Sequence, residues 1–145
     1  MSLTGTYLRT FDDKQRFAVP KRLRDEMLGT DAGELYVAPE VDRSLSLFAP
    51  DLFAARAQRL AESSPGRSNV RNYLRLYYSQ AERVDVDNQG RIRIPERLIQ
   101  FSGLQQEIVL LGVHDHLEVW DKSTWQEFFA EHSPAFDELA REAFQ

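Results

Sequence analysis

Short runs of apolar residues separated by polar turns occupy most of the chain, and this pattern predicts short strands. The clearest alternation is Ile92-Arg93-Ile94, in which every second residue is apolar, as on a strand with one buried face. Other stretches place apolar residues three or four positions apart, which predicts helices packed against the strands. The expected fold class is therefore α+β, mainly β-structure with peripheral helices.

The same pattern occurs twice along the chain. Residues 11–24 (FDDKQRFAVPKRLR) align with residues 86–99 (VDNQGRIRIPERLI) at a constant offset of 75. Residues 45–53 (LSLFAPDLF) align with residues 117–125 (LEVWDKSTW) at an offset of 72. Two such blocks in the same order indicate a tandem duplication, and two copies are too few for a solenoid. We therefore expect two halves that together build one pseudo-twofold barrel or sandwich.

The duplication divides the chain into four segments. These are a first copy at 5–54, a helical connector at 55–79, a second copy at 80–126 and a C-terminal helical tail at 127–145. Each copy is predicted to contain a strand, a polar turn, a strand, a helix, two further strands and a second helix.

Proline, glycine and aspartate mark the predicted helix limits. Pro20 and Pro95 are expected at the first position of the first helix of each copy, where proline costs no hydrogen bond. Gly29 and Gly103 are expected to end these helices. Asp121 is the expected N-cap of the second helix of the second copy.

The connector is predicted to contain a turn at 63–66 and a helix from 68 to 78. The residues expected on its buried stripe are Val70, Tyr73, Leu74 and Tyr77. On another face, an arginine recurs every four residues, at Arg67, Arg71 and Arg75. The simplest interpretation is that this face is exposed to solvent.

Composition excludes several classes of protein. The chain has 145 residues, a formal net charge of −5 and no cysteine, which excludes disulfides, thiol nucleophiles and cysteine zinc sites. Its longest apolar run, residues 108–113, is too short to span a bilayer, and we expect no secretory signal. We expect a cytoplasmic protein.

The net charge conceals an uneven distribution along the chain. Residues 1–97 contain 16 basic and 14 acidic residues, whereas residues 98–145 contain 2 basic and 9 acidic residues. Residues 14–24 contain five basic residues and no acidic one. Because phosphates are sensed over about one Debye length, ~8–10 Å, a local basic patch can bind an anion on an acidic protein.

The repeated turn places an aspartate four residues before an arginine, as Asp12–Arg16 and Asp87–Arg91. This spacing allows the aspartate to cap the turn and to brace the arginine, whose planar fork of donors suits phosphates and guanine edges. An alternative is that each pair is an ion pair that only stabilises the fold. For the two aspartates, the residues alone favour this second interpretation.

These motifs resemble the MraZ family of bacterial transcriptional regulators, which is related to the AbrB-type swapped-hairpin DNA-binding domains. The phrases VDNQGRIRIP and LEVWDK are close to the family pattern, and the resemblance covers nearly the whole chain. The first copy departs from the pattern in having Gln15 where the family usually has glycine. The second copy is less basic, with Asn88-Gln89 in its turn and Ile99 in place of Arg24.

The resemblance implies a tandem-duplicated swapped-hairpin β-barrel that binds double-stranded DNA. The implied function is repression of the division and cell-wall gene cluster, including the protein's own operon, by a homo-oligomeric ring associated with the nucleoid. The implied DNA-binding residues are Lys14, Arg16, Arg22, Arg24, Arg91 and Arg93, with Asp12 and Asp87 bracing the turns. We expect Arg16 to contribute more than Arg91, since Lys14 lies in the same turn. A ring presenting several turns predicts short direct repeats in the DNA.

Two other functional classes remain open at this point. A homo-oligomeric assembly module without DNA binding is the main alternative, since the acidic C-terminal part contains many aromatic residues. An enzyme is not expected, and no cofactor is expected. His114 and His116 flank a turn between strands without an evident third ligand, so we expect no metal site.

Overall fold

The computed structural model describes residues 1–29, 33–63 and 68–145. The strands are β1 (Thr6–Thr10), β2 (Arg16–Ala18), β3 (Glu34–Pro39), β4 (Leu45–Phe48), β5 (Glu82–Asp85), β6 (Arg91–Arg93), β7 (Glu107–Val113) and β8 (His116–Asp121). The α-helices are α1 (Lys21–Leu28), α2 (Pro50–Ser63), α3 (Ser68–Gln80), α4 (Glu96–Ser102), α5 (Lys122–His132) and α6 (Phe136–Ala143). The expected α+β class is confirmed.

Both copies contain the same order of elements, and their helix limits follow from local chemistry. Gly29 and Gly103 end α1 and α4 as predicted, and Asp121 caps α5 by accepting a hydrogen bond from the Ser123 amide at 3.2 Å. The prediction for Pro20 and Pro95 was wrong by one position. Both prolines have extended backbone angles and lie at the N-cap, where their carbonyls accept the first helical hydrogen bonds.

The connector helix α3 extends two residues beyond its predicted end, to Gln80. Tyr77 is buried as expected, whereas Tyr73 is 44% exposed, so the predicted stripe is only partly covered. The predicted turn residues 64–66 and Arg67 lie outside the described residues.

The strand pairing interleaves the two copies. The main sheet has the order β1-β7-β8-β4-β3-β5 and all its pairs are antiparallel. The first strand of each copy therefore pairs with the third strand of the other copy, and the fourth strands pair at the centre. The short strands β2 and β6 pair with each other as a separate two-stranded ribbon.

The core joins this ribbon to the main sheet and to the first helix of each copy. Leu23 of α1 and Leu98 of α4 are completely buried in it, as are Leu45 and Leu117 at the centre of the sheet. Burial of these apolar side chains is the main favourable contribution to folding. The ribbon is thereby fixed on one side of the molecule.

The C-terminal tail lies outside this core. Trp125 and Phe128 of α5 pack on buried Trp120, whereas Phe136 and Phe144 are 71% and 91% exposed. The described helices include none that is long and apolar enough to cross a membrane.

Candidate functional site

The segment between β1 and β2 folds into a tight turn around the carboxylate of Asp12. Its Oδ1 accepts hydrogen bonds from the amides of Lys14 and Arg16, each at 2.9 Å. Its Oδ2 accepts a hydrogen bond from Nε of Arg16, also at 2.9 Å. One aspartate therefore closes the turn and orients the arginine, because both of its oxygens bind groups only a few residues ahead.

The turn between β5 and β6 has the same geometry. Oδ1 of Asp87 accepts hydrogen bonds from the amides of Gln89 and Arg91, at 2.9 and 2.8 Å, and Oδ2 accepts one from Nε of Arg91 at 2.9 Å. Both arginines thus use Nε to bind their own aspartate, which leaves their terminal nitrogens outside these hydrogen bonds. This is the bracing geometry expected from the Asp-x-x-x-Arg spacing.

These hydrogen bonds stabilise the ionised form of both aspartates. For Asp12, partial burial raises the pKa, but the amides of Arg16 and Lys14 and the Arg16 guanidinium outweigh it and lower the pKa below 3.8. For Asp87, the amide of Arg91 is the largest cause of a lowered pKa. The two turns therefore keep their charged geometry at neutral pH.

The outer face of the ribbon is rich in arginine. Phe17 and Ile92 pair at its centre and point into the core, with 2% and 1% exposure. Because side chains alternate between faces, their neighbours point outward. The outward pairs are Arg16 opposite Arg93 and Ala18 opposite Arg91.

Two of the predicted cations on this surface are unpaired within the described part of the chain. Neither the ammonium of Lys14 nor the guanidinium of Arg93 has a hydrogen bond or ion pair there, and both residues are exposed. Arg91 is more constrained, since its Nη1 lies 3.9 Å from Oδ2 of Asp12 in the other copy. The structure thus brings Lys14, Arg16, Arg91 and Arg93 to one surface.

Each turn also contacts the helix start of the other copy. The amide of Val19 donates to the carbonyl of Gly90 at 2.9 Å, and the amide of Ile94 donates to the carbonyl of Gln15 at 3.2 Å. Gln15 and Gly90 occupy equivalent positions and both have positive φ angles, of 60° and 76°. Gln15 therefore adopts the backbone geometry that glycine adopts more readily.

The predicted residues of α1 lie beside the second turn. Arg24 packs its guanidinium on Gly90 and donates from Nε to the carbonyl of Val19 at 2.9 Å. Arg22 donates to the hydroxyl of Tyr7 at 2.6 Å. At the other turn, Nε2 of Gln15 donates to Oε2 of Glu96 at 2.7 Å.

Sequence reasoning missed Tyr7, Gly90 and Glu96 as parts of this surface. For Tyr7 and Glu96, the internal alignment at an offset of 75 contained a signal, because each aligns with a residue of different charge. It aligns Tyr7 with Glu82, whose Oε1 lies 3.4 Å from Arg97, and it aligns Glu96 with Lys21. The aligned blocks already show the change from Lys21 to Glu96, and extending them towards the N-terminus shows the change from Tyr7 to Glu82.

The histidines form a different local structure. His116 lies 2.7 Å from the Asp115 carboxylate and 3.7 Å from that of Glu118, and its ring stacks on Phe48. Burial lowers the pKa of His116, but these two carboxylates outweigh it and raise the pKa above 6.5. The part of the chain that the structure describes holds no cluster of three or more residues suited to a metal ion.

Comparisons with known proteins extend over nearly the whole chain. A family model described as "MraZ protein, putative antitoxin-like" matches residues 77–145. The transcriptional regulator MraZ of Thermobifida fusca is 35% identical over 138 residues, covering 95% of this chain and 94% of the relative. That of Corynebacterium urealyticum is 33% identical over 140 residues, covering 97% and 95%. That of Finegoldia magna is 29% identical over 134 residues, covering 92% and 91%.

Proposed function

The chain belongs to the MraZ family of transcriptional regulators, and we propose that it represses transcription by binding specific double-stranded DNA sequences. The observation that carries the proposal is the outer face of the β2–β6 ribbon, where three of four outward positions are arginine. A two-stranded ribbon fits the major groove, and arginine binds guanine edges with two parallel hydrogen bonds.

The bracing aspartates support this role for Arg16 and Arg91. Each arginine is held through Nε, so its terminal nitrogens are oriented before DNA arrives. Pre-orientation reduces the side-chain entropy lost on binding. Lys14 and Arg93 lack a partner among the described residues and are free to approach phosphates. If the Asp–Arg pairs only stabilised the fold, the unpaired cations of Lys14 and Arg93 beside them would have no role.

A band-shift assay tests the proposal directly. The wild-type chain should retard DNA from upstream of its own gene at lower concentration than a shuffled duplex of equal length. Arg16→Ala should weaken this binding by roughly 10- to 100-fold, the effect of losing one bidentate base contact. Arg59→Ala, an exposed arginine of α2 outside the ribbon and the C-terminal tail, is the matched control. Equal retardation of both duplexes by the wild type would contradict sequence specificity.

We further propose that several copies form a ring that binds short direct repeats. Linked sites gain affinity through effective concentration without additional contacts. The exposed aromatic residues of the C-terminal tail offer an apolar surface for assembly: Phe129, Phe136 and Phe144. Native mass spectrometry should show more than two chains per particle. Shifting the repeats by half a helical turn, about 5 bp, should weaken binding.

The proposed targets are the division and cell-wall gene cluster and the chain's own operon, with a cytoplasmic location on the nucleoid and no enzymatic role. Chromatin immunoprecipitation should recover the DNA of that cluster. The second candidate function is an assembly module without DNA binding, favoured by the same exposed aromatic residues. An oligomer that retards no duplex would support that candidate instead.

A further inference from the structure

The two ends of the ribbon differ in charge although their turns share one geometry. The first end consists of the turn 12–15 and the start of α4, joined by the hydrogen bond from Gln15 to Glu96. The second end consists of the turn 87–90 and the start of α1, joined by the packing of Arg24 on Gly90. Each end therefore combines the turn of one copy with the helix of the other.

The second end is rich in cations. The start of α1 contributes Lys21, Arg22 and Arg24, and the same helix carries the carboxylates of Asp25 and Glu26, of which Asp25 is paired with Lys21 at 2.8 Å. Arg22 bonds to a neutral hydroxyl, so its charge is not neutralised. Arg24 uses Nε for the Val19 carbonyl, and its terminal nitrogens have no hydrogen bond within the described residues. Arg22 and Arg24 can therefore bind an anion without first giving up an ion pair, whereas Lys21 is paired with Asp25.

The first end contains an acidic groove of about 420 Å³. Its charged lining residues are Glu82, Asp85, Arg93 and Glu96. At the offset of 75, the three acidic residues correspond to Tyr7, Thr10 and Lys21 in the first copy. The counterpart of Arg24 is Ile99, and the counterpart of Arg22 is Arg97, which is paired with Glu82 at 3.4 Å.

We propose that the start of α1, at the second end, binds the phosphates of duplex DNA on one flank of the ribbon, and that the acidic groove keeps the start of α4, at the first end, away from them. This inference rests on the proposed function and adds the orientation of the chain on its DNA. Lys21, Arg22 and Arg24 contact the backbone on one flank of the ribbon. The carboxylates of Asp85 and Glu96 repel it on the other flank, where the charge of Glu82 is offset by its ion pair with Arg97. Each chain therefore binds a site without twofold symmetry, in one orientation.

The matched arginines Arg22 and Arg97 test the phosphate contacts. Affinity for a duplex enriched by the wild type from a random-sequence pool is measured by fluorescence anisotropy at about 50 to 200 mM salt. Arg22→Ala and Arg24→Ile should each reduce the slope of log affinity against log salt by about 0.9, the value for one lost phosphate contact. Arg97→Ala should leave the slope unchanged. Equal reductions by Arg22→Ala and Arg97→Ala would overturn the inference.

Circular dichroism and thermal unfolding check that each variant is folded. Arg24→Ile introduces the residue found at the equivalent position 99, and the second variant, Arg22→Ala, lies at an exposed site. A loss of slope in both folded variants supports the phosphate contacts, and an unchanged slope in both refutes them.

The absence of cysteine makes the orientation measurable. Asn88→Cys and Asp13→Cys place one thiol in each turn, and an iron chelate attached to it cleaves nearby DNA. On the enriched duplex, the two probes should cut on opposite flanks of the motif, each on one flank only. Cleavage of both flanks by each probe would show two orientations and overturn the inference. Failure of the wild type to enrich any duplex would instead refute the proposed function itself.

Discussion

The guanidinium of Arg24, in the first helix of one copy, lies directly on Gly90, in the turn of the other copy. A Cβ atom at position 90 would lie 2.4 Å from Cζ of Arg24, and Gly90 has a φ of +76°. The equivalent turn position in the first copy holds Gln15, and the equivalent of Arg24 is Ile99. Thus the turn with glycine faces a helix with arginine, whereas the turn with Gln15 faces the helix with Glu96.

Gly90→Ala should therefore weaken DNA binding as well as destabilise the fold. Alanine at positive φ costs about 1–2 kcal/mol. The end of Arg24 can move aside, at the loss of its hydrogen bond to Val19, worth about 0.5–1.5 kcal/mol. Gly103→Ala is the matched control, because Gly103 has a φ of +67° and no atom near its Cβ direction. Denaturant unfolding and anisotropy on the same DNA measure both effects.

Two outcomes are informative for this pair of variants. Gly103→Ala should cost a similar backbone strain but leave DNA binding unchanged. Adding Arg24→Ala to Gly90→Ala should cost little further affinity, since the first change has already displaced the guanidinium. Fully additive losses of affinity would show that Gly90 and Arg24 act independently.

The local features of this fold could be predicted from the sequence because they depend on nearby residues. The closing of each turn by Asp12 or Asp87 involves groups at most four positions ahead. The same holds for the Asp121 cap. The predicted positions of Pro20 and Pro95 were wrong by one residue. Proline is compatible with the extended backbone angles of an N-cap as well as with the first helical position.

The contact of each turn with the helix of the other copy could not be predicted from local sequence patterns. Gln15 and Glu96 are 81 residues apart, and no local pattern links them. The expectation that the first turn is the more basic one counted Lys14 and Arg16 along the chain. Each turn faces the helix of the other copy, so Arg91 lies on the side with more cations, and the ranking of Arg16 above Arg91 stays a prediction.

A second prediction concerns Gly112 in β7. A Cβ atom there would lie 2.3 Å from the backbone nitrogen of Thr4, and backbone cannot move aside as the end of a side chain can. The N-terminal segment is held at this place by paired hydrogen bonds between Leu3 and His114, at 2.7 and 2.9 Å. Gly112→Ala should lower the free energy of unfolding by about 1–3 kcal/mol, a typical cost of overpacking.

Deleting residues 1–4 provides the control for Gly112→Ala. The deletion itself costs stability, because Leu3 is 1% exposed and its burial is lost. In the shortened chain, however, Gly112→Ala should have little effect, since the atoms it would meet are gone. An undiminished loss would place the cause elsewhere in β7.

The lowered pKa values of Asp12 and Asp87 predict a specific response to acid. Both carboxylates ionise more readily in the folded chain than at the ordinary value of 3.8. Their contribution to stability is therefore present above that value and is lost as the pH falls through the lower folded pKa. In the double variant Asp12→Asn/Asp87→Asn, the free energy of unfolding should decline less steeply below pH 3.8. Parallel pH curves for the variant and the wild type would rule out this contribution.

His116 should stabilise the fold at mildly acidic pH. Its side chain is only 12% exposed and lies between Phe48 and the carboxylates of Asp115 and Glu118. Although burial lowers its pKa, the carboxylates raise it further, so the folded value exceeds the ordinary 6.5. The stabilisation is then complete below about 6.5 and disappears as the pH rises through the folded pKa. The destabilisation caused by His116→Gln should therefore be larger at about pH 5.5 than at about pH 8.5.

Glu118 provides the control for this pH dependence, because its carboxylate is one of the two groups that favour the charged ring. Nuclear magnetic resonance titration of the His116 ring should give a pKa above 6.5 in the wild type and a lower value in Glu118→Gln. The pH dependence of stability should shrink in the same variant. Trp120 donates to Oε1 of Glu118 at 3.0 Å, and the glutamine carbonyl can still accept that hydrogen bond, so the change is confined to charge. A His116 pKa that did not fall in Glu118→Gln would leave Asp115 as the group that holds the proton.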